Sequence, residues 1–159
     1  MIVKKISIQN YLCYYDVNDF DLSDGLNIIL GENGEGKTKF FEALDWLFDG
    51  SNDELELLVS AKALEETAVG ESFAVKVSIT VEQNDEKKII TKSFLAKKKK
   101  ANECSTSNYM LEGIEENKSG ERVQVDGKNL LERIFPFQIR KYSMFKVNLN
   151  WTFLKVRKH

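Results

Sequence analysis

The chain has 159 residues, 42% hydrophobic and 30% charged, with a formal net charge of −2 and a pI near 5.6. That is enough polypeptide to bury a core as one compact domain or as a large piece of one, and the acidic balance argues against a globally basic nucleic-acid binder. No apolar run approaches the ~18 residues that a membrane span needs, and the opening MIVKKISIQN lacks the apolar centre of a secretory signal, so a cytoplasmic protein is expected.

In chain order, Ile2 to Asn10 predicts a first strand with Ile6 and Ile8 on one face. Tyr11, Tyr14, Tyr15 and Val17 to Leu22 lead into a second, which stops at Ser23-Asp24-Gly25. Leu26 to Leu30 is almost continuously apolar, the pattern of a short strand covered on both faces. Residues 31 to 38 then read GENGEGKT, a complete G-x-x-x-x-G-K-[ST] loop. Phe40, Phe41, Leu44, Leu47 and Phe48 recur at helical spacing as a core stripe, with Gly50 as the stop. A weaker helix falls within Asp53 to Leu64. Phe73, Val75, Val77, Ile79 and Val81 alternate with period two, and the polar turn Gln83-Asn84-Asp85-Glu86 joins them to Ile89 to Phe94 as a hairpin. Tyr109 to Ile114 and Arg122 to Val125 are further strands, and Lys128 to Phe135 is a short helix halted at Pro136, the only proline. No internal repeat or sustained heptad is present.

The loop carries the chemistry. Wrapping a polyphosphate needs residues without side chains where the backbone turns back on itself, and Gly31, Gly34 and Gly36 supply them. Lys37 is placed to lie across the β- and γ-phosphates and Thr38 to offer its hydroxyl to Mg²⁺, while the following helix adds its positive dipole end. The ligand read from these residues is a nucleoside triphosphate with Mg²⁺. Elsewhere the signals are weaker. Lys87, Lys88, Lys92 and the run Lys97 to Lys100 form the only dense basic cluster, expected as a solvated hairpin end or a mobile loop, with phosphate contacts the alternative. Cys13 and Cys104 are too far apart in sequence for a metal knuckle and the sole histidine is His159, so reduced, buried or idle thiols are expected rather than a redox pair.

The opening MIVKKISIQNYLCYYD, the segment FDLSDGLNIILGENGEGKTKFFEALDWLFDG and their spacing resemble the N-terminal half of the ATPase head in the SMC/RecF/SbcC branch of ABC-type ATPases. The order of elements from Phe73 to Phe145 further resembles DndD-like members. The resemblance spans roughly residues 1–145 and implies an α/β, P-loop NTPase N-terminal half-head with an antiparallel β-rich lobe. It also implies an ATP-driven clamp, in which two heads sandwich two ATP molecules while DNA is held or processed in repair, recombination, genome maintenance or phage defence. Carried over by residue, the Walker A loop would bind ATP through Gly31, Asn33, Gly34, Glu35, Gly36, Lys37 and Thr38, with Thr38 also on Mg²⁺. Asn10 opens a stretch that in relatives continues with a basic or small polar residue near the nucleotide; here Leu12 and Cys13 stand instead.

The resemblance also shows what these residues lack. The apolar strand ending in Asp-Glu, which in such ATPases holds Mg²⁺ and polarises water, has no counterpart. Ile79-Thr80-Val81-Glu82-Gln83 offers one acid in an alternating strand, and Lys118-Ser119-Gly120-Glu121-Arg122 resembles the signature segment but reads as a β-turn. No catalytic residue is therefore assigned. The chain reads as a truncated head, needing a C-terminal half-head or partner chain, with 146–159 an atypical basic tail expected to be out-of-family. Two functions are carried forward: the nucleotide-binding piece of a DNA-directed ATPase, not hydrolytic alone, or a non-enzymatic remnant or regulatory nucleotide-binding module. A GTPase is disfavoured by the lack of N-K-x-D, and a kinase by the lack of a further catalytic acid and a basic lid.

Overall fold

Alternating apolar residues build one antiparallel sheet. In a computed structural model that describes residues 1–32, 34, 36–50, 52–138, 140, 145–147 and 150–152, the last two stretches by backbone alone, seven strands form it. They are β1 (Ile2–Tyr11), β2 (Tyr14–Asp21), β3 (Ser72–Gln83), β4 (Glu86–Lys100), β5 (Glu103–Thr106), β6 (Met110–Glu116) and β7 (Arg122–Asp126). The order is β2-β1-β3-β4-β6-β7. The long β4 gives one stretch of its free edge to β6 and the rest to β5. A separate pair, β8 (Phe145–Val147) and β9 (Asn150–Thr152), falls partly in the expected basic tail, most of which lies outside the described residues. Residues 141–144, near the end of the stretch that resembles DndD-like members, lie outside them too.

The β3–β4 hairpin pairs as the alternation predicts, from Gln83 opposite Glu86 to Ser72 opposite Lys97. Asn84 and Asp85, at φ 56° and 61°, make its two-residue connection, a left-handed pair whose twist matches the flanking strands. The segment Asn117 to Glu121 is also a turn, closed by Asn117 N–H donating to the Glu121 carbonyl at 3.0 Å.

Helix α1 (Lys37–Asp49) lies on the face of the sheet that carries Ile6, Ile8, Val75, Val77, Ile79 and Phe94. Its stripe of Phe40, Leu44 and Leu47 is buried there, each side chain contributing about 1.5–3 kcal/mol relative to exposure. Gly50 ends the helix as expected, with a physical reason of its own: a Cβ at that position would overlap the Trp46 ring and carbonyl. The weaker helix within 53–64 divides into a 3-10 turn at Leu55–Leu58 and α2 (Ala61–Glu66), and α3 (Gly127–Ile134) closes the order before Pro136. Asp126 caps α3, its carboxylate accepting from the Asn129 N–H at 2.7 Å.

Two expectations change. Leu26 to Leu30 forms no strand among the described residues, and Leu26, Ile28 and Leu30 are 74%, 69% and 85% exposed while Ile29 packs inward. An apolar run reports that a segment is built to be covered, and among the described residues nothing covers its outer side. The basic cluster also divides. Even positions of β4 face the core, so Lys92 and Lys98 are buried at 2% and 7% exposure, while Lys97, Lys99 and Lys100 are exposed.

The buried lysines have one task. Lys92 donates to the carbonyls of Trp46 and Gly50 at 2.8 and 2.5 Å, ending α1; Lys98 donates to those of Glu65 and Thr67 at 3.1 and 2.8 Å, ending α2. Arg140 completes the set, with Nε on the Phe135 carbonyl after α3 at 2.6 Å and Nη1 on the Phe48 carbonyl at 2.9 Å. A cation at each helix C-terminus satisfies orphan carbonyls and complements the dipole.

Candidate phosphate-binding loop

The described residues of the predicted site, Gly31, Gly34, Gly36, Lys37 and Thr38, sit at the N-terminal end of α1. Gly34 and Gly36 adopt φ of 96° and 84°, the left-handed region that favours glycine, as the loop chemistry requires. Asn33 and Glu35 lie outside the described residues. Gly31 and Glu32 are exposed, and their carbonyls accept from the Lys37 ammonium. Thr38 is exposed in the first turn of α1, which contains no acidic residue. A positive helix end whose first turn holds no acid, beside an ammonium and a hydroxyl, is a donor set suited to a polyphosphate and a hard cation.

Behind the loop stands the turn between β1 and β2, whose contribution the sequence did not disclose. Tyr14 donates its hydroxyl to the Gly36 carbonyl at 3.1 Å, and a Cβ at Gly36 would come within 2.7 Å of Cys13 Sγ. Burial pushes the Tyr14 hydroxyl up to about 12, so it remains a donor through the neutral range. The turn is strained and tied down. Asn10, Leu12 and Asp16 all have positive φ, a conformation costing non-glycine residues on the order of 1–3 kcal/mol. Leu12 N–H donates to the Leu58 carbonyl at 2.8 Å, and Ser60 N–H to that of Asn10 at 2.9 Å. The Asn10 amide donates to the Ala74 carbonyl at 3.0 Å while its oxygen accepts from the Asp16 N–H at 2.9 Å, so the polar groups of Asn10 are committed inside the fold. The one sequence signal for this support was the tyrosine cluster at 11, 14 and 15.

The single-acid candidate does not join the site. Glu82 pairs with Ile2 at one end of β1, whereas Tyr11 and Tyr14 mark the end beside the loop. Ten residues of extended strand separate these ends by about 30 Å. Both cysteines are free, Cys13 exposed and Cys104 half-buried, and burial raises both thiols above their usual range. Among the described residues no cluster of His, Cys, Asp and Glu could hold a metal, and no helix is long and apolar enough to cross a membrane.

Comparison with known proteins gives this geometry its class. A solved structure, from work on the structural biochemistry of ATP-driven dimerization and DNA stimulated activation of SMC ATPases, has the same fold. It superposes with a TM-score of 0.54 over 87% of this chain and 81% of its own, at 15% identity. Structural maintenance of chromosomes protein 6 of Takifugu rubripes is 35% identical over 80 residues, a stretch that is 50% of this chain but 7% of that relative. The architecture is thus the N-terminal half-head of an SMC-type P-loop ATPase. The family profile described as an AAA domain (AAA_23) matches residues 5–158, and the chain belongs to that family. ATPases of this kind use ATP, typically with Mg²⁺.

Proposed function

We propose that residues 31–38 form a Walker A loop that binds the triphosphate of ATP with Mg²⁺, and that residues 1–145 are the nucleotide-binding lobe of a head acting on DNA. The observation that carries this reading is the union of left-handed Gly34 and Gly36, an acid-free first helical turn and a lysine folded back over the loop. Lys37, which bonds the Gly31 and Glu32 carbonyls, would turn to phosphate oxygens, Thr38 would hold Mg²⁺ through its hydroxyl, and the α1 amides would meet the remaining negative charge. The proposed contacts include Asn33 and Glu35 of the same sequence motif.

Binding is not hydrolysis. Transition-state stabilisation in phosphoryl transfer comes from several groups acting together, and among the described residues no strand ends in an Asp-Glu pair. Hydrolysis therefore needs a further stretch of polypeptide that brings an Asp-Glu strand end and a signature segment, and the uncovered Leu26–Leu30 segment is the edge where it adds. The SMC neighbour dimerises with ATP and is stimulated by DNA; the same cycle, in repair, recombination, genome maintenance or phage defence within the cytoplasm, is the reading offered for this chain.

The test is titration of a fluorescent ATP analogue with and without Mg²⁺. Lys37→Ala removes charge-assisted bonds worth about 1.5–3 kcal/mol, so affinity should fall roughly ten- to a hundredfold. Unchanged affinity would remove the loop as the site. The distance of Glu82 from the loop favours a second reading, a regulatory nucleotide-binding module that never hydrolyses. Sedimentation with ATP separates the two: assembly with a second head segment supports the ATPase reading, and binding without assembly supports the module.

A further inference from the structure

We propose that Tyr14 is a positioning residue for the phosphate loop, holding the peptide between Gly36 and Lys37 in its ligand-facing orientation; the proposal rests on the nucleotide-binding reading above. The Gly36 carbonyl stands at the joint between loop and helix. It accepts from the Phe40 N–H at 3.0 Å, the bond that opens α1, and from the Tyr14 hydroxyl at 3.1 Å. A trans peptide is planar, with its carbonyl and N–H pointing in opposite directions. Fixing this carbonyl toward Tyr14 and Phe40 therefore aims the Lys37 N–H the other way, away from the protein body.

The rest of the arrangement holds Tyr14 itself. Its ring stands edge-on to Phe20, with centroids 5.8 Å apart, and Phe20 stands edge-on to Phe40 of α1 at 4.9 Å. One aromatic line thus runs from the β1–β2 turn to the first turns of α1. The turn cannot drift, because Leu58, Ser60 and Ala74 bond its backbone and Asn10 from outside it. Cys13 fills the space that a side chain at position 36 would need, so loop and turn fit each other only with glycine there. Local strain at Asn10, Leu12 and Asp16 thereby serves the placement of two side chains against a single glycine.

Tyr14→Phe separates the hydroxyl from the ring. The variant keeps the contact with Phe20, and its thermal midpoint should stay near that of the wild type. Its affinity for the fluorescent ATP analogue with Mg²⁺ should drop about three- to tenfold, the loss of one hydrogen bond. Phe20→Leu is the counterpart: leucine still backs the Tyr14 ring, so the midpoint should fall while the folded fraction loses clearly less affinity than Tyr14→Phe does. Wild-type affinity in Tyr14→Phe, with a clear loss in Lys37→Ala, would overturn the positioning role and leave the loop as the site. An equal loss of affinity in Phe20→Leu would also overturn it, by showing that packing alone sets the loop. Should Lys37→Ala bind as the wild type does, the nucleotide-binding reading fails, and the role of Tyr14 with it.

Discussion

The two ends of α1 make opposite use of positive charge. At the C-terminal end, Lys92 and Arg140 are buried and their donors reach main-chain carbonyls of Trp46, Phe48 and Gly50. Lys92 also lies over the Trp46 and Tyr109 rings, 4.9 and 4.0 Å from their centroids, and Arg140 adds ion pairs with Asp49 and Glu132. At the N-terminal end the cation is Lys37, whose partners are the carbonyls of exposed Gly31 and Glu32. Charge met by groups from several elements is scaffold, because moving it disrupts all of them. Charge met by a short exposed loop can change partners cheaply, and a ligand phosphate needs that freedom.

Substitutions can break this contrast at either end. The largest effect on stability is expected from Arg140→Ala, which leaves the Phe48 and Phe135 carbonyls and the Asp49 carboxylate without their donor. About 2–3 kcal/mol should disappear from the urea unfolding free energy, while the nucleotide affinity of the folded protein is kept. A stability close to the wild type would mean that this end is not clamped.

Lys92 gives a pH-dependent effect. Burial, opposed by the charge of Asp49, pushes its ammonium down to about 8 from an ordinary 10.5. Below the lower value, folded and unfolded chains both hold the proton; between the two, the unfolded chain keeps a proton that the folded one has released. Stability therefore rises with pH across that window. Urea midpoints should show the wild type gaining on Lys92→Met from about pH 7.5 to about pH 9.5, and a constant gap would contradict the depressed value. The smallest change is predicted for Leu30→Lys, at a position 85% exposed: within about 0.5 kcal/mol in unfolding, with any head assembly lost. A much larger unfolding effect would show Leu30 to be packed.

Local chemistry made the loop, the core stripe of α1 and the β3–β4 hairpin readable, since each depends on residues close in sequence. The glycines at 34 and 36 announce left-handed backbone, and Asn84-Asp85 announces a tight connection. Arrangements set by distant residues were hidden. Lys92 and Lys98 read as members of a solvated basic run because charge counting ignores strand parity, and parity turns them toward helix ends. Leu26 to Leu30 displayed its need for cover without naming what supplies it. Tyr14 meets Gly36 across 22 positions and Arg140 meets Phe48 across 92, separations at which no short pattern carries a signal. The short β5 was missed for a related reason: its pairing with the end of β4 owes little to its own four residues.

The ion pair between Asp49 and Arg140 spans 91 positions, and this has a consequence for the protein's birth on the ribosome. Translation at about 5–20 residues per second puts roughly 5–20 s between the synthesis of the helix end and that of its guanidinium lock. During that interval the α1 segment has been made but its rear is unfastened, and the phenylalanines of its stripe await strands still being made, so a 13-residue helix that is marginal by itself has little to hold it. A chaperone that waits at the exit tunnel would meet this intermediate first.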